Sequence, residues 1–181
     1  MSKIALLFAL LSTLVPALAG TQPPLQSWAD CNVGKYQRYA QAQTQWQERL
    51  AALVAAAAPE HAALSDQLMR QQLQLIEQSQ LELEHLVRHE PAKLRSQASL
   101  NTWLSPFDAQ DRQRLAARSP RYVELLRLAE AQKKQPPHLQ GKALHTLMRE
   151  DIMKRPDFDQ LLQQHLQAVK AIEGIQCPAP R

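Results

Sequence analysis

The sequence has little glycine and few aromatic residues, and these shortages argue against several fold classes. It contains four glycines against twelve prolines, and only 5% of its residues are aromatic. A doubly wound nucleotide-binding fold does not fit, because its turns and phosphate loops require glycine. A hydrophobic content of 45% and a net charge of +4 do not fit a disordered chain. The 181 residues are therefore expected to form one domain with a substantial core.

The sequence also lacks the short motifs of common catalytic and cofactor-binding sites. It has no GxSxG, P-loop, HExxH or CxxCH motif, and its two cysteines do not form a CxxC pair. Neighbouring carboxylates such as Glu82 and Glu84 are interpreted as ordinary surface charges, because acids on helix surfaces are common. We therefore predict no catalytic residue, no cofactor and a protein that binds rather than catalyses.

The first residues have the three parts of a secretory signal peptide. Lys3 gives a positive start, residues 4–15 form an apolar run, and a small-x-small sequence ends at Ala19. The apolar run is too short for a helix that spans a bilayer, which needs about 20 residues. The sequence therefore predicts export from the cytosol.

Cleavage between Ala19 and Gly20 would remove residues 1–19 and leave residues 20–181 as a single helical domain. We expect this mature chain to be periplasmic or secreted and to contain no transmembrane segment. Its partner would then be an envelope protein or an anionic envelope component, and nucleic acid is not expected.

The chain contains two cysteines, Cys31 and Cys177. An even number of cysteines in an exported protein indicates a disulfide, and free thiols or an intermolecular bridge are the alternatives. A bond between these two residues would hold the start of the first helix close to the end of the last.

Apolar residues recur at three- and four-residue steps along two long segments, which is typical of packed helices. The first segment, residues 36–57, ends before Pro59, and the second, residues 69–87, ends before Pro91. Proline interrupts a helix, so the pattern predicts a long antiparallel hairpin over residues 20–90. One long kinked helix is the alternative.

Glutamines stand at positions of these two stripes where an apolar residue is expected. Gln43 interrupts the first stripe and Gln80 the second. Polar residues at such positions often mark a side that is open to water. We therefore expect the hairpin to be only half covered, with a groove along it.

Residues 91–181 break into shorter segments, which predict several shorter helices packed as an irregular bundle. Proline-containing start signals and one proline-rich linker set the expected boundaries. The expected elements are a short helix over 92–103, helices starting at Ser105-Pro106 and Ser119-Pro120, a linker at 135–138, a helix over 139–154 and a last helix from Pro156. No segment alternates with the period of a strand. The fold class is predicted to be all-α, closed by one disulfide.

Charge is divided unequally along the chain. Residues 20–90 carry five Lys/Arg and eight Asp/Glu, whereas residues 91–181 carry fifteen and nine. The densest basic stretch contains four arginines: Arg112, Arg114, Arg118 and Arg121. They predict either an anion-binding face or a helix surface whose charges are neutralised by nearby acids.

Two histidines, His85 and His89, are four residues apart on the second long helix. This spacing places both rings on one face, where they could bind zinc or copper weakly. The alternative is two solvated histidines, because no third ligand is evident.

Three functional hypotheses follow. The first is an exported binding protein that acts as an adaptor, as an inhibitor or immunity-type protein, or as a subunit of an envelope assembly. The second is a periplasmic chaperone or stress sensor, since the helical, basic, glutamine-rich chain is similar in character to the Spy/CpxP family. The LTxxQ motif of that family is absent, because residues 104–108 read Leu-Ser-Pro-Phe-Asp. The third is a small all-α exported enzyme, by analogy with exported chorismate mutases.

Overall fold

The computed structural model describes residues 28–178, and it folds this part of the chain into six α-helices with no strand. The helices are α1 (Trp28–Ala57), α2 (Ala62–His89), α3 (Ala109–Ala116), α4 (Pro120–Lys133), α5 (Gly141–Glu150) and α6 (Pro156–Glu173). The all-α prediction is confirmed. The predicted signal peptide, residues 1–19, and its cleavage site lie outside the described residues.

α1 and α2 form the predicted antiparallel hairpin, and they are the two longest helices of the described chain. α1 ends where the backbone N–H of Ala58 donates to the Val54 carbonyl at 2.8 Å. Pro59 follows and has no N–H with which to extend the ladder, so a 3₁₀ turn over Pro59–His61 reverses the chain. The hairpin therefore turns at Pro59 and ends before Pro91, as the prolines predict.

The disulfide joins Cys31 in α1 to Cys177 after α6, with a Cα–Cα distance of 5.7 Å. α6 packs against α1 in the opposite direction. Near the disulfide, the Lys35 ammonium donates to the carbonyls of Glu173 and Ile175, both at 2.9 Å. A cation at the carbonyl end of a helix is favourable, so this contact supports the closure that the cysteines predict.

The apolar core is divided between the two ends of the hairpin. The buried residues near the disulfide are Val33, Tyr36, Leu83, Val87, Leu100 and Trp103. At the turn, Val54 and Leu64 pack against Leu144 of α5, with Leu147 and Met148 beside them. α4 packs against α2.

The middle of the hairpin has no core of its own. None of residues 43–53 of α1 and none of residues 66–81 of α2 is buried. The expectation of a half-covered hairpin is confirmed, because the two cores leave the stretch between them in partial contact with solvent.

The segment between α2 and α3 differs from its prediction. The helix predicted over 92–103 is wrong, since only two 3₁₀ turns form there, Pro91–Lys93 and Leu100–Thr102. The fully buried Trp103 anchors this segment: its indole N–H donates to the Ala98 carbonyl at 2.9 Å. The burial of one large side chain therefore holds this segment in place, and the backbone hydrogen bonds of an α-helix do not form.

α3 starts three residues later than the Ser105-Pro106 signal predicts. Its cap is Asp108, whose Oδ1 accepts from the backbone N–H groups of Gln110 and Asp111 at 2.8 and 2.9 Å. The Asp111 carboxylate accepts in return from the Asp108 N–H at 3.1 Å, which completes a capping box.

The remaining boundaries are close to the sequence prediction. α4 begins at Pro120 and is capped by Ser119, whose hydroxyl accepts from the Tyr122 N–H at 3.2 Å. α6 begins at Pro156 as predicted. α5 ends at Glu150, earlier than predicted, and a 3₁₀ turn follows it. Among residues 28–178, no helix combines the length and apolar character needed to cross a membrane.

Candidate functional site

The uncovered middle of the hairpin forms a groove between α1 and α2. Its first part is a cavity of about 460 Å³ beside the 3₁₀ turn at residue 101. The walls of this cavity include Tyr36, Tyr39, Gln43, Leu75 and Glu82. Gln43 therefore lies in the groove, as its position in the stripe predicts.

The second part of the groove is a more apolar cavity of about 370 Å³ at the turn end of the hairpin. It shares Gln47 and Gln72 with the first part, so the two cavities are adjacent along the hairpin. Its apolar walls come from α1, α2 and α5: Leu50, Val54, Leu68, Met69, Leu144 and Met148. Leu68 and Leu75 are 43% and 44% exposed, so each of the two cavities has an accessible leucine in its wall.

The polar middle of the groove consists of glutamine side chains. The amides of Gln43, Gln47 and Gln72 form no hydrogen bond with another described residue, and all three line the cavities. A primary amide offers two N–H donors and a carbonyl acceptor. These side chains can therefore pair with the N–H and C=O groups of another polypeptide.

Glu82 is the one ionisable acid among the residues that line the groove. It is only 8% exposed, and its Oε1 accepts from the Tyr122 hydroxyl and from the Gln78 amide, each at 2.7 Å. Burial, together with the hydrogen bond to Glu82, raises the pKa of Tyr122. Neither cavity has an arginine or a lysine among its described lining residues.

Aromatic rings support the groove wall next to Glu82. The rings of Tyr36 and Tyr39 lie 5.5 Å apart, and Tyr36 stacks on the buried Trp103 at 6.2 Å between centroids. Burial and the neighbouring Tyr39 raise the pKa of Tyr36, so this phenol stays neutral at physiological pH. Tyr39 is half-buried and forms part of the wall.

The interpretation of Glu82 as a surface charge is wrong. The spacing along α2 does indicate that Glu82 lies on the apolar face. Glu82 is seven residues after Leu75 and four before the fully buried Leu86, on the same side of the helix. Its partner Tyr122 is forty positions away in sequence. No local pattern identifies such a pair.

The four arginines predicted to form a basic face do not act as one group. Arg114 pairs with the carboxylates of Asp111 and Glu90, and Arg121 pairs with Glu77. Arg112 and Arg118 are exposed. Carboxylates thus neutralise two of the four arginines of the predicted anion-binding face. Binding of an anion by Arg112 and Arg118 stays a prediction.

The two histidines are adjacent, with ring centroids 5.1 Å apart, but they are not both solvated. His85 is only 3% exposed, and its Nε2 is buried without a hydrogen-bond partner. Burial lowers the pKa of His85, and His89, Arg118 and Arg114 lower it further against the opposing effect of Asp111. The two arginines, as cations, disfavour a metal ion here. No group of three potential ligands occurs among residues 28–178.

Asp111 stabilises the fold and does not line the groove. It is fully buried, and it accepts from Lys93 at 2.7 Å and from Arg114 at 2.5 Å. Burial alone would raise its pKa, but the hydrogen bonds from Lys93, the Asp108 backbone and Arg114 lower the pKa to about 2. Asp111 is thus an ionised anchor between α3 and the segment before it.

A third cavity, of about 320 Å³, lies beside the disulfide and is polar. Its one basic side chain, Lys35, is already engaged with two backbone carbonyls. This cavity is therefore a weaker candidate for a ligand-binding site than the groove.

No protein-family model, no curated protein and no solved structure matches the chain.

Proposed function

We propose that the protein is an exported, non-enzymatic binding protein whose groove holds an extended segment of a partner polypeptide. The partner belongs to the cell envelope, and the protein acts as an adaptor, as an inhibitor or immunity-type protein, or as an assembly subunit. The observation that carries this proposal is the uncovered middle of the hairpin, where two long helices contact each other without a buried residue between positions 66 and 81 of α2.

The chemistry of the groove supports a polypeptide ligand. The accessible leucines of the two cavities can bury apolar side chains, and the amides of Gln43, Gln47 and Gln72, which have no partner among the described residues, can pair with a peptide backbone. Peptide recognition commonly combines main-chain hydrogen bonds with pockets for a few side chains. The groove contains both elements in one line.

The disulfide supports export, because such bonds persist in oxidising compartments and are rare in the cytosol. The N-terminal sequence predicts the route. If the chain is exported as proposed, N-terminal sequencing of the protein from a periplasmic or culture fraction will give Gly20 as the first residue. Met1 as the first residue would contradict export, but it would not contradict peptide binding in the groove.

An enzymatic function has less support from this groove. The chorismate mutase analogy needs arginines and a glutamate that converge on the substrate, and the groove lining contains Glu82 without an arginine or lysine. A binding role needs no such set.

The experiment that tests the proposal uses peptides and a matched pair of variants. Random peptides of about twelve residues, long enough to fill the groove in extended form, are selected on the disulfide-bonded chain by phage display. Synthetic versions are then titrated by fluorescence anisotropy against the wild type, Leu68→Glu and Leu166→Glu. Leu68 lies in the groove, whereas Leu166 is on α6 and is similarly exposed, at 50%.

We expect Leu68→Glu to weaken peptide binding at least about tenfold, because a carboxylate replaces an apolar contact. Leu166→Glu should change the affinity by less than about twofold. The proposal fails if no peptide is selected, or if both variants weaken binding equally.

A periplasmic chaperone is the second candidate, and the glutamine amides favour it, because they recognise any backbone rather than one sequence. Wild-type protein should then delay aggregation of an unfolded client at equimolar ratio, and Leu68→Glu should do so less well. A wild type that gives no delay excludes the chaperone role and leaves the adaptor role.

A further inference from the structure

We infer that the Glu82 end of the groove recognises a basic side chain, so that the bound segment carries Lys or Arg at one end and an apolar side chain at the other. This inference rests on the proposed function, because it names the chemistry of the polypeptide that the groove would hold. Its basis is the position of Glu82 next to the two tyrosines.

The Glu82 carboxylate is buried and has no ion-pair partner in the described part of the chain. More than nine-tenths of the residue is inaccessible, and no ion pair joins it to any of residues 28–178. Glutamate is almost never buried to this extent unless it is paired, because taking a charge out of water is costly. A cation supplied by a ligand would remove this cost.

One oxygen of the carboxylate is available for that cation. Both hydrogen bonds of the group, from Tyr122 and Gln78, end on Oε1. Oε2 accepts none from a described residue, and it is not among the buried polar atoms that lack a partner. Oε2 therefore retains some accessible surface, and Glu82 is among the residues that line the first cavity.

The walls beside Glu82 favour the same ligand group. Tyr36 and Tyr39 line the cavity with Glu82, and the faces of aromatic rings attract ammonium and guanidinium groups. Stacking of Tyr36 on Trp103 holds this wall in place before a ligand arrives. A carboxylate and two tyrosines thus line the same cavity.

No lysine or arginine among residues 28–178 lines this site. Arg112 lies near the Tyr122 hydroxyl and opposes the rise in the pKa of Tyr122, but Arg112 is exposed and forms no ion pair with Glu82. Lys35 donates to two carbonyls at the end of α6 and lies over Trp103. Neither lines the first cavity.

The length of the groove favours a polypeptide over a small amine. Residues 65–82 of α2 line it from end to end and rise about 25 Å at 1.5 Å per residue. An extended peptide needs about eight residues to cover this distance at about 3.3 Å each. The apolar end contains Met69 and Met148, whose flexible side chains adapt to different apolar groups.

The test compares two peptides that differ in one charge. Each has about ten residues, with leucine and valine at one end, serine and threonine in the middle, and either arginine or its neutral analogue citrulline at the other end. Both chain directions are synthesised, because the groove does not specify one. Their affinities for the disulfide-bonded chain, and for its Glu82→Gln and Leu68→Glu variants, are measured by fluorescence anisotropy, with circular dichroism as the control for folding.

We expect the arginine peptide to bind the wild type at least about tenfold more tightly than the citrulline peptide, as for a hydrogen bond to a charged group. Glu82→Gln should reduce this ratio to less than about twofold and leave the affinity for the citrulline peptide nearly unchanged. Leu68→Glu should weaken both peptides and keep their ratio. The wild-type comparison needs no variant, so it remains decisive if Glu82→Gln does not fold.

Equal binding of the two peptides to the wild type would overturn the inference. If Leu68→Glu still weakened both, the groove would stand as a polypeptide site that does not recognise a cation. If neither peptide bound and no selected peptide did either, the proposed function itself would fail. A charge preference that persists in Glu82→Gln would assign recognition to another acid and also overturn the inference.

Discussion

The Glu82 carboxylate accepts a hydrogen bond of 2.7 Å from the Tyr122 hydroxyl, and this contact connects the floor of the groove on α2 to the buried side of α4. Tyr122 is fully buried, so its hydroxyl has little access to water as an alternative partner. The contact therefore engages one carboxylate oxygen, and the other accepts no hydrogen bond from a described residue. The Glu82–Tyr122 pair therefore contributes both to the packing of α4 on α2 and to the negative charge of the groove.

Tyr122→Phe should lower the free energy of unfolding by about 2 kcal/mol, because it removes a donor to a charged acceptor and retains the ring. Urea denaturation of wild type and variant measures the difference. Val123→Ala, at an exposed neighbouring position, is the control and should change stability by less than about 0.5 kcal/mol. A Tyr122→Phe protein as stable as the wild type would show that this contact contributes little.

Stability should decrease as the pH falls below 6.5, the usual pKa of histidine, because burial lowers the pKa of His85 in the folded state. The unfolded chain then binds a proton that the folded chain does not, which favours unfolding at acid pH. His85→Leu should therefore show a weaker loss of stability than the wild type between about pH 7.5 and about pH 5 in urea titrations. His145→Leu, at an exposed position, should retain the wild-type pH dependence. Parallel curves for all three proteins would refute this role of His85.

Removal of the disulfide in Cys31→Ser/Cys177→Ser should lower the free energy of unfolding by up to about 5 kcal/mol, because the bond closes a loop of 146 residues. Denaturant titration of the double variant, with the reduced wild type for comparison, measures the loss. A loss below about 1 kcal/mol would mean that packing of α6 on α1 alone holds the two ends together.

Asp108→Ala should destabilise the protein by about 1–2 kcal/mol, because it removes the cap of α3 and a partner of Lys93. Ser105→Ala should change stability by less than about 0.5 kcal/mol, since the structure gives Ser105 no capping role. Thermal melting of the two variants compares them directly. The reverse order of effects would place the start of α3 at the position that the sequence predicts.

The case of α3 shows which features a sequence can locate and which it cannot. Ser105 and Asp108 are both acceptable cap residues, and Pro106 favours the earlier one. The choice is made by Asp111, which completes the capping box at Asp108 and pairs with Lys93. Lys93 belongs to a separate turn, so the deciding interaction is not local.

The same distinction holds for the candidate site. The hairpin, its half-covered middle and the position of Gln43 follow from helical periodicity and proline positions, which are local in sequence. The burial of Glu82 depends on Tyr122, and the shape of the apolar end depends on Leu144 of α5. These contacts exist only after α4 and α5 pack on the hairpin, so the sequence predicts a groove but not its charge.

The most direct test of the groove as the binding site is a map of backbone amide chemical shifts during titration of the ¹⁵N-labelled, disulfide-bonded chain with the arginine peptide. The largest changes should fall on residues 36–54 and 65–82, which line the two cavities. Changes confined to residues 112–121, with the groove amides unaffected, would contradict the account and would indicate that ligands bind the arginine-rich face instead.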